Sequence, residues 1–245
     1  MLVPFDGLWL DMNEAANFCN GACLNRQKVS DSALDQLIYT PTGRSLEAHS
    51  LPVDLVHYDG RTQLDAHNIY GAHQTYATWK WFKQWGAKRP FIVERSSFAG
   101  LGKYAGKWLG DNSATYEDMQ RSVTGIMMMN MFGIPFVGAD ICGFTGPDTT
   151  PYLCARWHQL GAIYPFSRNH RDCGEARQEP FQYAMFTVNG TNITVMEVMR
   201  DAILVKYSLI RYYYTQLFTL SMLETTTGTL IKPLFFAFPD DALTY

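Results

Sequence analysis

The order of apolar and polar positions along the chain predicts strands alternating with helices. The segment "PFDGLWL", with Phe5, Leu8, Trp9 and Leu10, reads as a short buried strand that ends abruptly on Asp11, Asn13 and Glu14. A long polar stretch rich in Asp, Ser, Thr, Gly and Pro follows, from 19 to 66, and reads as a surface loop insertion. Aromatic residues at helical spacing in "HNIYGAHQTYATWKWFKQWGA" then predict a helix that stops near Gly86. "RPFIVERS" and "GKWLGDN" are two further short strands, and "DMQRSVTGIMMMNMFG" is a helix closed by Gly133. "IPFVGADICGF" is another buried strand ending on an acid. A helical "YLCARWHQLGAIYPF", a loop, a long helix over "VMRDAILVKYSLIRYYYTQLFTLSML" and a last strand at "LIKPLFFAF" complete the chain. Strand, helix, strand, helix implies a parallel α/β sheet with crossover helices.

At 245 residues and 47% hydrophobic, the chain is long enough for a sizeable core. The net charge of −3, with signs interspersed, provides no basic field for nucleic acid. The longest apolar run, "GIMMMNMFGIPFVGAD", contains Asn130, glycines and Pro135 and is shorter than the roughly 20 residues of a membrane span. It reads as core. No cleavable export signal follows Met1, yet "NGT" at Asn189 and "NIT" at Asn192 are glycosylation sequons, and five cysteines suit an oxidising compartment. The expectation is the secretory route, lysosomal or extracellular.

In parallel α/β folds the active site lies at the carboxyl ends of the strands. Asp11, Arg95, Asp111 and Asp140 each stand at or just beyond such an end, so closing the sheet into a barrel would bring them to one pocket. A single acid there could simply cap the next helix. Three acids, each within two residues of a glycine or tryptophan, favour chemistry. Two carboxylates among tryptophans suit glycoside hydrolysis, in which one attacks the anomeric carbon and the other delivers a proton to the leaving oxygen. Indole faces would stack on sugar C–H groups. Metal catalysis is the weaker reading, since the six histidines show no helical i, i+4 pair and "CNGAC" lacks a second ligand pair at zinc spacing. No metal and no cofactor is expected.

"GLWLDMNEAANF", "RPFIVERSSFAGLGKYAGKWLGDN", "GIPFVGADICGF" and "RWHQLGAIYPFSRNH", in this order, closely resemble the α-glucosidase branch of family 31 glycoside hydrolases. The resemblance implies a (β/α)8 TIM-barrel catalytic domain, incomplete here at approximately strands 4 to 8. Residues 1–245 would be the C-terminal part of that domain, without the family's N-terminal β-sandwich and C-terminal β domains. It makes Asp11 the nucleophile and Asp111 the general acid/base. Trp9, Met12, Trp108 and Phe144 would wall the glucose ring, Arg95 and His170 would bind sugar hydroxyls, and Asp140 and Arg168 would brace that network. Glu14 becomes a supporting residue, and Asn13 a local hydrogen-bonding one. Cys142 and Cys154 match positions bridged in the family. Cys19 and Cys23 could pair with each other, or one could reach Cys173.

The implied activity is retaining hydrolysis of terminal α-linked glucose from α-glucans or maltooligosaccharides. Related specificities such as α-xylosidase, a non-catalytic carbohydrate-binding relative, and an inactive structural fragment are the alternatives. Activity from these residues alone is not expected, because open sheet edges and a missing pocket wall would remain. Three positions depart from the family pattern: Ala15 replaces a usual proline, Lys107 a usual histidine, and Glu94 a commonly small residue.

Overall fold

The computed structural model describes residues 5–21, 46–183, 186–188, 190–222 and 228–245. Asn189, Cys23 and half of the expected 19–66 loop, residues 22–45, lie outside the described residues. The chain divides into two units, 1–98 and 99–245.

In the first unit, strand β1 (Gly7–Leu10) runs parallel to β2 (Phe91–Glu94), in register from Gly7 opposite Phe91 to Leu10 opposite Glu94. Helix α1 (Gln63–Gln84) connects them and makes a β-α-β unit. The helix begins four residues before the aromatic pattern does. Thr62 caps it, its hydroxyl accepting the Asp65 N–H and donating to the Asp65 carboxylate. At the other end Trp85 is the C-cap and Gly86 turns left-handed at φ 83°. Gly71 lets α1 approach the loops beyond both strands, since a Cβ there would stand 2.7 Å from the Asn13 carbonyl oxygen and from Ser96 Oγ. β1 is an edge strand, and so it is less buried than its composition predicts: Leu10 is buried, but Leu8 and Trp9 are exposed.

The second unit contains two more parallel pairs. β3 (Gly106–Trp108) pairs with β4 (Val137–Gly138) across α2 (Tyr116–Met131). β5 (Asp140–Ile141) pairs with β6 (Arg168–Asn169) across α3 (Pro151–Gly161). The single expected strand "IPFVGADICGF" is thus split at Ala139, its two halves choosing different partners. Gly138 allows the crowding this requires, because a Cβ there would lie 1.9 Å from the Phe166 carbonyl oxygen. An antiparallel hairpin of β7 (Phe186–Val188) and β8 (Thr191–Ile193), absent from the sequence reading, precedes α4 (Val195–Met222). Asn192 is exposed on that hairpin.

The expected last strand does not form. Among the described residues, "LIKPLFFAF" joins no sheet: Leu230 and Ile231 donate their N–H groups to Asn130 Oδ1, and a one-turn helix, α5 (Leu234–Ala237), starts after Pro233. Proline has no N–H to give a ladder, and its fixed φ suits the position before a helical turn. No helix among the described residues is long and apolar enough to cross a membrane.

The core of this unit gathers α2, α3, α4 and β4–β5 around Val137, Ile141, Trp157, Val195 and Met199. Cys142 and Cys154 are joined there as a disulfide, both fully buried. Cys19 is also disulfide-bonded, whereas Cys173 is free and exposed, which removes the pairing through Cys173. Beside the Cys142–Cys154 bridge, His158 is buried and its Nδ1 donates to the Cys154 carbonyl at 2.9 Å. Burial lowers its pKa below the usual 6.5, the helix carbonyl opposing this only in part. Below pH 6.5 the unfolded chain therefore takes up a proton that the folded chain refuses, and stability falls as pH drops toward the lowered folded value. Thermal melts between pH 7 and 5 should show wild type losing more stability than His158→Gln; equal slopes would contradict this.

Candidate active site

Each unit carries one of the two candidate catalytic acids just beyond the C-terminal end of a parallel strand. In the first unit, the ladder continues past β1 and β2 through the Arg95 N–H donating to the Leu10 carbonyl (3.1 Å), which sets Arg95 beside Asp11. The Arg95 guanidinium reaches Asp11 Oδ1 at 3.2 Å and grips Glu14 with two bonds, Nε to Oε1 at 2.9 Å and the second amino group to Oε2 at 3.1 Å. The backbone N–H of Met12 also donates to Asp11 Oδ1, at 2.8 Å. Two fixed donors thus orient one carboxylate oxygen.

The turn that follows is strained. Met12 and Ala15 both adopt positive φ, at 54° and 63°. Proline is confined near −65°, so the family's usual proline would not fit the Ala15 backbone found here. Asn13 pins this turn to the loop beyond β2: its Oδ1 accepts the Ser96 N–H at 2.7 Å and its Nδ2 donates to Glu94 at 3.4 Å. Glu94 is buried and also accepts the Thr75 hydroxyl of α1. It therefore points away from the Arg95 cluster, as strand alternation predicts.

In the second unit, the Leu109 N–H donates to the Gly138 carbonyl (3.0 Å), after which Gly110 turns at φ 84° and Asp111 follows on an exposed loop. Asn112, not singled out by the sequence, fixes that loop. Its Nδ2 donates to the Asp140 carbonyl at 2.9 Å, and its Oδ1 and its own carbonyl both accept the Phe144 N–H, at 3.1 and 2.8 Å. The loops carrying Asp111 and Phe144 are thereby tied together.

Asp140 is buried and accepts two bonds from Arg168, its register partner across β5 and β6, from Nε at 3.1 Å and from a terminal amino group at 2.6 Å. The Arg168 guanidinium lies over the Trp108 ring, 5.0 Å from its centroid. Trp108 is only 1% exposed, so its indole supports Arg168 rather than presenting an open face. Of the two tryptophans expected at the site, Trp9, at 47% exposure, is the one with an available surface. Phe144 stacks on His170 with centroids 4.8 Å apart and planes 18° from parallel. Gln178 is a second residue that the sequence reading missed. Buried, it donates from Nε2 to Asn169 Oδ1 (2.8 Å), to the Gly143 carbonyl (3.1 Å) and to the His170 carbonyl (3.1 Å), and so fixes the backbone behind that stack. Lys107 is buried on β3.

The chain belongs to glycosyl hydrolases family 31, residues 1–216 matching its TIM-barrel domain. It is 40% identical over 245 residues to a lysosomal alpha-glucosidase of Rattus norvegicus, a match covering 99% of this chain and 24% of that protein. Alpha-xylosidase 1 of Arabidopsis thaliana is 36% identical over 262 residues, covering 98% of this chain and 27% of the relative. A family dextranase from Flavobacterium johnsoniae, solved in complex with glucose, superposes with a TM-score of 0.73 at 25% identity, over 98% of this chain and 26% of that one. The chain spans about a quarter of the length of these two curated relatives. The parallel β-α-β units described above are those of the family's barrel, present as a partial α/β assembly.

Proposed function

We propose that this chain is the catalytic segment of a retaining α-glucosidase, acting on terminal α-linked glucose of α-glucans or maltooligosaccharides. The observation that carries the reading is Asp11, a carboxylate at a strand's carboxyl end oriented by the Arg95 guanidinium and the Met12 N–H. On this reading Asp11 attacks the anomeric carbon as the aglycone leaves, and Asp111 donates the proton to the departing oxygen. Asp111 then takes a proton from the water that hydrolyses the glycosyl ester. Two such carboxyls work about 5 to 5.5 Å apart, because no water needs to fit between nucleophile and sugar. Arg95 and His170 are the donors for sugar hydroxyls, Trp9, Met12 and Phe144 the walls with Trp108 packed behind Arg168, and Asp140 and Arg168 the brace of that network. Residues 1–245 then supply the later strands of the barrel, with the 19–66 region as an insertion after the nucleophile strand. The secretory route and an N-glycan on Asn192 belong to the same reading.

The test is the anomer formed first. In the full-length protein, α-glucosides should release α-glucose initially, followed by proton NMR before mutarotation; β-glucose appearing first would overturn the retaining assignment. The Arabidopsis relative supports α-xylosidase as a second reading. A larger kcat/KM for α-xylosides than for α-glucosides with the same leaving group would select it.

A further inference from the structure

A cavity of about 510 Å³ lies in the first unit where the chain enters α1, lined by His57, Tyr58, Asp59, Arg61, Tyr70 and His73 among others, and it shares no residue with the Asp11 cluster. Its rim is a built turn. The His57 N–H donates to the Arg61 carbonyl (2.8 Å), the Gly60 N–H to the His57 carbonyl (2.9 Å), and the Gln63 N–H to the Leu55 carbonyl (2.7 Å). Gly60 takes the left-handed conformation, φ 86°, that closes the tip. His57 is held by its Nε2 against Oε1 of the fully buried Gln63 at 2.8 Å, which in the neutral ring leaves Nδ1 as an acceptor.

Two features decide what such a site would take. The first is aromatic surface: Tyr58 is fully exposed, Tyr70 is partly exposed, and the His57 ring lies 6.0 Å from that of Tyr70. Exposed rings held on a fixed turn are costly to leave wet and are good platforms for C–H faces. The second is charge. Arg61 is committed to Asp59, its Nε donating to the carboxylate at 2.7 Å, so the pair offers donors and acceptors but no net charge to attract an anion. Among the described residues these side chains do not form a group of three donor atoms close enough together to hold a metal ion. An uncharged ring with apolar faces and an equator of hydroxyls satisfies both features, and the volume is within the range of ordinary ligand pockets.

We infer that this cavity is a second carbohydrate site, binding a sugar ring on Tyr58 and Tyr70 with hydroxyls to His57, His73 and the Asp59–Arg61 pair. The choice of an α-glucan as its sugar rests on the proposed function; the existence of the site does not. The test uses the full-length protein carrying Asp11→Ala, so that sugar is bound and not consumed, titrated with maltotetraose by calorimetry. Two classes of binding are expected. Tyr58→Ala should weaken one of them about tenfold, Tyr58→Phe should preserve it, and adding Tyr70→Ala should remove it. On the Asp11 background restored to wild type, Tyr58→Ala should raise KM for long maltooligosaccharides and leave hydrolysis of a small aryl α-glucoside unchanged. Tyr58 is exposed, so its variant should melt with wild type. A single binding class, or two classes untouched by Tyr58→Ala, overturns the inference while glucoside hydrolysis persists. Tyr58-dependent binding in a protein that hydrolyses no glucoside would instead leave the site standing and overturn the catalytic reading.

Discussion

Asp11→Ala in the full-length protein is expected to abolish turnover of every α-glucoside, lowering kcat by about 10⁴-fold or more. The size follows from the role proposed for the residue. A carboxylate that forms the covalent bond has no substitute once its oxygens are gone, and a better leaving group does not help, since the missing bond is to the sugar and not to the aglycone. Removing Asp11 leaves Arg95 its two bonds to Glu14. The fold should survive, because Asp11 is largely exposed and sits beyond the ladder of β1 and β2. Comparing an activated aryl glucoside with maltose checks the claim: both should fall together. Retention of the activated substrate's turnover would move Asp11 out of the nucleophile's role.

Asp111→Ala should divide the same two substrates. General acid catalysis contributes roughly 10² to 10⁴-fold, so maltose, whose leaving group needs a proton, should lose about that much. An aryl glucoside with an acidic phenol should still form the glycosyl-enzyme at a rate near wild type and then stall, since the base that activates water is also gone. Azide needs no such base, and adding it should accelerate turnover and give an α-glucosyl azide, the configuration of the substrate being retained over two inversions. Insensitivity to azide, with equal losses on both substrates, would mean the two acids are misassigned.

Much of this was legible because the strand-end rule needs only short-range pattern. An apolar run followed by an acid located Asp11, Asp111 and Asp140, and the structure puts each of them just past, or at the start of, a short parallel strand. What escaped the sequence depends on partners far away in it. Asn112 matters because it reaches residues 28 and 32 positions on, and Gln178 because its amide meets a carbonyl 35 positions back. Neither bond leaves a mark on local periodicity. The exposure of Trp9 and the burial of Trp108 were likewise set by sheet position, one on an edge strand and the other beneath Arg168. "LIKPLFFAF" failed for a local reason, since Pro233 interrupts the apolar run that read as a strand. Ala15 shows the opposite case: a departure from the family's usual proline whose consequence, a left-handed residue two positions after Asn13, becomes visible only in the backbone.

The central claim is that Asp11 forms a covalent bond with the sugar. An α-glucosyl fluoride carrying a second fluorine on the ring slows both steps, the second more than the first, so the intermediate accumulates. The full-length protein treated with it and digested should yield one peptide with the added sugar mass, the one containing "LDMNEAANF", and fragmentation should put that mass on Asp11. The label on any other residue, Asp111 included, or steady turnover of the reagent with no labelled peptide, would contradict the account.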